Sequence, residues 1–588
     1  MCGLAGWLTA PNAIADPAVL TRMLDAIHHR GPDDRGSYFD ADAGLALGHL
    51  RLSIIDLSAA AHQPMRDAAS GVVLVYNGEV YNFRALRAEL QALGHGFVSS
   101  GDSEVVLKAY LQWGVASFAR FGGMFALALW DPRSAVLHLA RDAMGMKPLY
   151  FAAQSGGLVF ASEVKAFKQV PGMRLRASAT GLRQYLEFGY VFDDQLSVFE
   201  GIRKLPPGCR AEVRRGQPPR IERFFTAPAP DPLDRRGEAE RVDELQSVLA
   251  EVTAQHLIAD VPLGLLLSGG LDSSLIAALA SRQGPLTTIS MGFADSAVDE
   301  RPQARQVAEF IGSRHLEVLI TPQQVMAEAS QGAWVFDDLF ADWGTLTTRL
   351  LYRRCREMGV KVVLVGEGAD ELFGGYDVFR TPDRLGLWQQ FRLYQRYAGR
   401  RYGSQFGNFR RVFKHCLEAG QGDPFHAVRL FESRQQLPNQ YVMKVDKASM
   451  AESIEARAPY LDRRVAELAY RTPRAWLLRG GENKYLLRAL ARREKLLPEA
   501  TSMRPKFGAS LAASWMDDSP EFRVFARERL LDGVWTRRLG LAPAMRDYFE
   551  RGRAGYRLPR ALSIFRNLAW RLLLLELWAP YYLDERAA

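Results

Sequence analysis

Along the first 165 residues, short apolar runs alternate with turn-forming residues. The runs are Val72 to Tyr76 before Asn77-Gly78, Phe125 to Trp130 before Asp131-Pro132, and then Val136 to Ala140, Leu149 to Ala152 and Leu158 to Ala161. Runs of this length closed by Gly, Asn, Asp or Pro predict strands in antiparallel sheets. Two longer stretches, Phe83 to Leu93 and Ser103 to Trp113, read as helices, so the expected class is α+β. The texture then changes. Pro206-Pro207, Pro218-Pro219 and the Ala-Pro-Ala-Pro-Asp-Pro run from Ala227 to Pro232 mark residues 206–240 as the expected linker. Beyond it the rhythm becomes strand, loop, helix: Val261 to Leu267, a Gly-rich turn, Leu275 to Arg282, then Leu286 to Met291, and Val360 to Val365 before a second Gly-rich turn. That pattern predicts an α/β domain with a parallel sheet covered by helices, over residues 241–588, after a first domain over residues 1–205.

Two stretches test other classes. Leu568 to Leu577 is apolar but interrupted by Arg571 and Glu576, and it is shorter than a membrane span, so it reads as a helix packed on the body, with no membrane partner. Phe391 to Lys414 mixes arginines and aromatics, as a nucleic-acid surface would. Amphipathic helices with solvated arginine rims account for the same residues, and nucleic acid is not the expected partner.

Length and composition narrow the class further. A chain of 588 residues implies two to four domains, and 48% hydrophobic with 24% charged residues is ordinary globular usage. The net charge of +9, from 75 basic and 66 acidic residues, is modest for this length. Cys2, Cys209, Cys355 and Cys416 are far apart, which suggests neither disulfides nor zinc and fits a reducing cytoplasm. The start, Met-Cys-Gly-Leu-Ala-Gly-Trp, lacks the pattern of a signal peptide.

Cys2 has a specific chemical use. With the initiator methionine removed, one residue carries both a thiol nucleophile and an α-amino group whose ordinary pKa of about 7.7 to 8 suits it to take the thiol proton. His29-Arg30-Gly31-Pro32-Asp33, Arg51 to Asp56, Tyr76-Asn77-Gly78-Glu79-Val80-Tyr81-Asn82 and Ser100 to Glu104 follow in order. Taken singly, Asn77-Gly78 is a hairpin turn and Arg51 a surface ion pair. Together these motifs resemble the glutaminase domain of class II glutamine amidotransferases, of the Ntn-hydrolase type. The resemblance implies stacked antiparallel sheets with helices and attack of Cys2 on the glutamine amide. It implies an oxyanion hole from the Asn77 side chain and the Gly78 backbone N–H. It also implies that Arg51 and Asp102, with Glu79 nearby, hold the glutamine carboxylate and ammonium.

Ser268-Gly269-Gly270-Leu271-Asp272-Ser273-Ser274 follows an apolar run and opens a helical pattern, which makes it a candidate phosphate-binding loop. It lacks the Gly-Lys-Ser/Thr of a Walker A loop. It resembles the pyrophosphate loop of the ATP-pyrophosphatase superfamily. Leu364 to Tyr376, Lys444 to Met450, Glu455 to Asp462 and Gly481 to Arg488 follow, and in this order after a glutaminase domain they resemble the asparagine synthetase family, to about Gly508. By that resemblance ATP is a substrate bound by Leu267, Ser268, Gly269, Gly270, Asp272, Ser273, Met291, Gly366 and Lys484. Asp272 and Asp370 hold Mg2+, Lys484 faces the phosphates, and Glu367 acts when ammonia attacks the acyl-adenylate. The expected partners are glutamine, ATP and aspartate or another carboxylic acid, with a homodimer as one expected assembly. Val365, Ala369 and the Ala341-Asp342-Trp343-Gly344-Thr345 segment depart from the family's usual residues near the acceptor. An amidotransferase acting on another carboxylate, such as a sugar uronate or a natural-product intermediate, is therefore the alternative. A cyclising relative is disfavoured by the presence of Cys2.

Overall fold

The computed structural model describes residues 2–13, 15–154, 156–231, 234–293, 299–380, 405–504, 511–552 and 559–583. The first part of the chain forms β1 (Gly3–Leu8), β2 (Asp34–Asp40), β3 (Leu45–Arg51), β4 (Met65–Arg66), β5 (Val73–Val80), β6 (Gly123–Asp131), β7 (Val136–Arg141), β8 (Tyr150–Gln154), β9 (Gly157–Ala161), β10 (Ile202–Lys204), β11 (Cys209–Val213) and β12 (Arg220–Arg223). They make two six-stranded sheets, ordered β10-β8-β9-β1-β3-β2 and β12-β11-β7-β6-β5-β4. Every pairing is antiparallel. Alternation puts Leu4, Leu8 and Leu47 of one sheet against Val73, Val75 and Ala128 of the other in a shared core. Helix α1 (Pro17–Ala26) covers the far face of the first sheet, while α2 (Phe83–Ala92) and α3 (Asp102–Trp113) cover that of the second. The α+β expectation with stacked antiparallel sheets holds.

Two local expectations change. Asn77-Gly78 does not end a strand, because β5 runs straight through it with all eight residues buried. Gly78 pairs with Phe125, and a Cβ there would sit 2.2 Å from the Met124 carbonyl oxygen. A turn dipeptide permits a turn, and burial between strand and helices overrides that permission. The Pro-rich stretch read as linker contains β11 and β12, since Cys209, Ala211 and Val213 bury one face of β11 in the core shared with the first sheet.

Helix α4 (Ala179–Phe188) precedes β10, and α5 (Glu238–His256) leads into the second half. There β13 (Leu263–Leu266), β14 (Thr287–Phe293), β15 (Arg314–Ile320), β16 (Val362–Leu364) and β17 (Glu455–Arg457) form a sheet ordered β15-β14-β13-β16-β17. All its pairings are parallel. Helix α6 (Leu271–Ser281) starts directly after the Gly-rich loop that follows β13. The late apolar run lies in the helix Pro559–Tyr582, with Leu572 to Leu575 buried. Its buried Arg571 donates to the carbonyls of Leu186 and Glu187 at the end of α4, so this helix ties the two halves together. Among the described residues no helix is long and apolar enough to cross a membrane. Of the basic and aromatic stretch, residues 391–404 lie outside the described residues. In the rest, Phe409 packs inward on Phe188 and Phe431 while Arg410 and Arg411 are exposed, which is the amphipathic arrangement.

Two candidate active sites

Cys2 lies buried immediately before β1, and its backbone N–H donates to Asn77 Oδ1 at 2.9 Å. The side-chain amide is thereby oriented: its oxygen is taken, and its Nδ2 is buried with no hydrogen-bond partner among the described residues. A buried donor without an acceptor is costly, so this one points to a ligand oxygen. Burial pushes the Cys2 thiol above its ordinary pKa, against the opposing amino-terminal charge, the Leu52 backbone bond and the Arg51 charge.

Arg51 ends β3 and is buried, with Nη1 donating to the Ser58 carbonyl at 3.0 Å and Nη2 to that of Asp56. Asp102 opens α3 and accepts from the Tyr76 hydroxyl at 2.7 Å and the Val80 N–H at 2.9 Å. Burial raises the Asp102 carboxyl despite those bonds. Glu79, pointing from β5, is pushed well up by burial, then by the neighbouring carboxylates of Glu455 and Asp102. The six residues expected around a glutamine, Cys2, Arg51, Asn77, Gly78, Glu79 and Asp102, thus lie together, just before β1 and on β3, β5 and α3.

The sequence reading missed two more. Glu455 and Arg457 of β17 belong to the second sheet by backbone, yet their side chains reach the Cys2 site. Arg457 Nη2 lies 3.5 Å from Glu79 Oε1, and its Nε bonds Glu455 Oε1 at 2.6 Å. Its Nη1 donates to the carbonyls of His256 and Ile258, both at 2.7 Å. Glu455 stays ionised, with a pKa of about 2 against the cost of burial, because the amino-terminal charge, Arg457 and Lys147 surround it. The signal was present as two charged residues alternating within an apolar segment, but a β-strand's partners cannot be read from that pattern.

In the second half, a cavity of about 340 Å3 opens at the carboxyl ends of β13, β14 and β16, where open parallel sheets bind ligands. Leu267, Ser268, Asp272, Ser273, Met291 and Gly366 line it, as do Glu367 and Asp370. Gly269 and Gly270 shape the turn behind them. Gly269 has φ +69°, and a Cβ on it would press on the backbone of the helix Arg301–Phe310 at 2.6 Å from Ala304 N. Ser268 and Ser273 join hydroxyls at 2.9 Å across the loop. Lys484, buried and in left-handed conformation (φ +54°), bridges Asp272 at 2.5 Å and Asp370 at 2.7 Å. Gly375 makes room for this bridge, since a Cβ there would fall 2.3 Å from Lys484 Cε. Two carboxylates and an ammonium at one mouth of a cavity match a polyphosphate with its divalent ion, because Mg2+ takes one or two protein carboxylates beside phosphate oxygens. Among the described residues no cluster of three or more His, Cys, Asp or Glu forms a metal cage.

Three more residues on this cavity carried no role in the sequence reading. Lys444 is half-buried, pairs with Asp342 at 3.0 Å and offsets part of the burial that raises the Glu367 carboxyl. Glu300 is pushed up to about 7 by burial. Tyr441 closes the side opposite the loop. Between the two sites lies a buried ionic layer. Arg30 donates to the Cys2 carbonyl and pairs with Glu163 at 2.7 Å and Asp446 at 3.0 Å, while Lys147 faces Asp446 and Lys447 pairs with Asp337.

Comparison with known proteins gives the same division. Residues 1–225 match the glutamine amidotransferase domain family, and residues 244–580 match the asparagine synthase family. A Mycobacterium tuberculosis protein named "Putative asparagine synthetase (glutamine-hydrolyzing)" is 34% identical over 573 residues, covering 86% of this chain and 87% of that one. Asparagine synthetase (glutamine-hydrolyzing) 1 of Bacillus subtilis is 29% identical, covering 86% of each. A Gibberella zeae protein named as an amidase is 33% identical over 413 residues, covering 65% of this chain and 60% of its own length. The chain belongs to the glutamine-hydrolysing asparagine synthetase family and is a carbon–nitrogen ligase.

Proposed function

We propose that this enzyme frees ammonia from glutamine at Cys2 and joins it to a carboxylic acid activated with ATP. With Met1 removed, the nitrogen that now meets Asn77 Oδ1 is an α-amine beside the thiol. It accepts the thiol proton as sulfur attacks the glutamine amide carbon. The Asn77 Nδ2 and the Gly78 N–H steady the oxyanion, Arg51 and Asp102 grip the amino-acid end, and Glu79 is held by Arg457. Ammonia leaves, and water releases glutamate from the thioester.

In the second site, Leu267, Met291 and Gly366 hold the nucleoside and the Ser268 to Ser273 turn holds the phosphates. The acceptor carboxylate oxygen attacks the α-phosphorus and pyrophosphate departs. Asp272 and Asp370 would hold Mg2+, which supplies charge neutralisation on the phosphates. Lys484 steadies the departing pyrophosphate. Ammonia then attacks the acyl carbon, Glu367 takes a proton, and AMP leaves. Asparagine, the product in the relatives' names, makes aspartate the first acceptor to test. A different carboxylate is the second reading, favoured by a further cavity of about 370 Å3, lined by Trp343, Phe188 and Trp570, that shares Tyr441 with the first. Four buried free thiols suit a reducing cytoplasm as the place of work. The domain division proposed is a glutaminase ending after β12 and a synthetase beginning near α5.

The observation that carries the reading is the unsatisfied Asn77 amide donor beside a buried cysteine at position 2, on the same chain as a Ser-Gly-Gly cavity with a Lys-bridged acid pair. Cys2→Ala is expected to abolish glutamine-dependent amide and pyrophosphate formation while ammonium salts still support both. Loss of both routes in a folded variant would refute separate sites.

A further inference from the structure

A cavity of about 710 Å3 opens at the seam between the two halves and shares no lining residue with the nucleotide cavity. Asp193, Asp194, Arg203 and Arg223 wall it from the first half, and Arg411 and Arg434 from the second. A volume of this size is that of a small-molecule site rather than of a packing flaw. The second wall is joined to the chemistry. Arg434 and Gln435 stand near the start of the π-helical segment Glu432–Tyr441, whose last residue, Tyr441, lines the nucleotide cavity. Helical segments of this kind are rare and gather at functional sites.

Charge on the wall is unequal. Four guanidiniums face two carboxylates, and His415 turns to Glu418 at 3.3 Å. Arg223 stands 3.9 Å from Asp194 and Arg411 3.6 Å from Asp193, which are ion pairs too long for hydrogen bonds. Arg203 donates to the side-chain oxygen of Gln195, a neutral partner. Arg223 also donates to the Pro207 carbonyl at 2.9 Å. Among the described residues Arg434 makes no ion pair, and its one hydrogen bond runs from Nη2 to the Phe225 carbonyl at 3.3 Å. Burial, then the Arg223 charge, lower the Arg434 guanidinium below its ordinary value, so two cations are held near each other out of water. An anion between them relieves both. Guanidinium forks match the oxygens of carboxylates and phosphates, and a phosphomonoester places nearly two charges on one centre at neutral pH, equal to the excess on the wall. On the same wall the buried Oε1 of Gln435 has no donor among the described residues, and a ligand hydroxyl would supply one. Leu196, Val412 and Leu430 offer an apolar surface to the ligand's carbon body.

We propose that the seam cavity binds a hydroxylated phosphomonoester, a sugar phosphate or a nucleoside monophosphate, with its phosphate between Arg223 and Arg434. The site is separate from both reacting centres, and it stands whichever carboxylic acid the ligase takes.

Isothermal titration calorimetry on the full chain tests this, with glucose 6-phosphate and AMP as the two kinds of ester and glucose, inorganic phosphate and glutarate as controls. At least one ester should bind about tenfold more tightly than every control, the scale of one charge-assisted hydrogen bond. The tighter ester identifies the body that the cavity prefers. Arg434→Gln and Arg223→Gln should each weaken its binding by about tenfold or more. Arg411→Glu reverses a charge on a side chain that is 62% exposed, so it serves if the seam variants fail to fold, and it should weaken binding in the same direction. A control that binds as tightly as the esters overturns the inference. Ester binding indifferent to all three variants does so too, because the phosphate would then sit at the Ser268 to Ser273 turn. Absence of saturable binding by both esters is the third outcome that sinks it.

Discussion

Asn77 shows how one hydrogen bond sets the chemistry of a side chain. Because the Cys2 nitrogen donates to its oxygen, the amide nitrogen can only face the other way, into a buried space without an acceptor. A preorganised donor of this kind gains strength as negative charge develops on the oxygen it meets. Asn77→Ala is expected to slow glutamine hydrolysis by about 10² to 10³, some 3 to 4 kcal/mol, with ammonium-dependent synthesis retained. Steady-state assays with the two nitrogen sources check this. The raised Cys2 thiol gives a second expectation with a definite sign. The reactive form needs a neutral amine and a protonated thiol, so kcat/KM for glutamine should rise with pH as the amine loses its proton, near about 8. A fall on the alkaline side would report loss of the thiol proton. Burial moves that event above the ordinary value of about 8.5, so any alkaline decline in glutamate release should begin above that pH. A decline beginning below about 8.5 would contradict the burial argument.

At the scale of elements, β17 does the most with the fewest residues. Its backbone completes the parallel sheet beside β16, and the Val365 N–H at the entrance to the nucleotide loop donates to the Arg457 carbonyl at 2.9 Å. Its side chains, meanwhile, form the floor of the Cys2 site. A three-residue strand therefore touches both reactions. Arg457 pairs with both Glu79 and Glu455. Arg457→Met leaves two carboxylates buried against each other and should cost about 3 to 5 kcal/mol, because removing one partner of a buried pair exposes the full desolvation penalty of the rest. The melting midpoint measures it, and Glu79→Gln in the same chain should recover part of the loss. β5 teaches the complementary lesson. Asn77-Gly78 carries the residues of a hairpin turn, yet the strand continues, because Gly78 has no Cβ to strike the Met124 carbonyl.

For the whole molecule, the decisive feature is how charge is divided across the interface. The first half presents Arg30, Lys147 and Lys204, the second answers with Asp446 and Asp338, and Asp337 takes the Lys165 backbone N–H. Ammonia that is protonated in water is no nucleophile, so tight closure between the sites matters for yield as well as stability. Asp446→Asn removes the anion shared by Arg30 and Lys147. It should lower the melting midpoint and raise glutamate formed per pyrophosphate above one, measured by coupled assays on the same sample. Equal stoichiometry in a destabilised variant would confine this layer to holding the halves together. Much of this plan is legible along the chain. The Cys2-Gly3 start, the Ser268 to Ser274 loop and the change from strand-and-turn to strand-loop-helix rhythm are local patterns, and local patterns survive any tertiary arrangement. The sequence by itself thus determined the family and the two sheet types. It could not place Glu455 and Arg457 beside Cys2, give Lys444 its role, or assemble Trp343, Phe188 and Trp570 into one chamber. Only the tertiary structure decided those, because the partner of a buried charge and the walls of a cavity depend on which distant surfaces lose their water together, and no spacing along a chain encodes that balance.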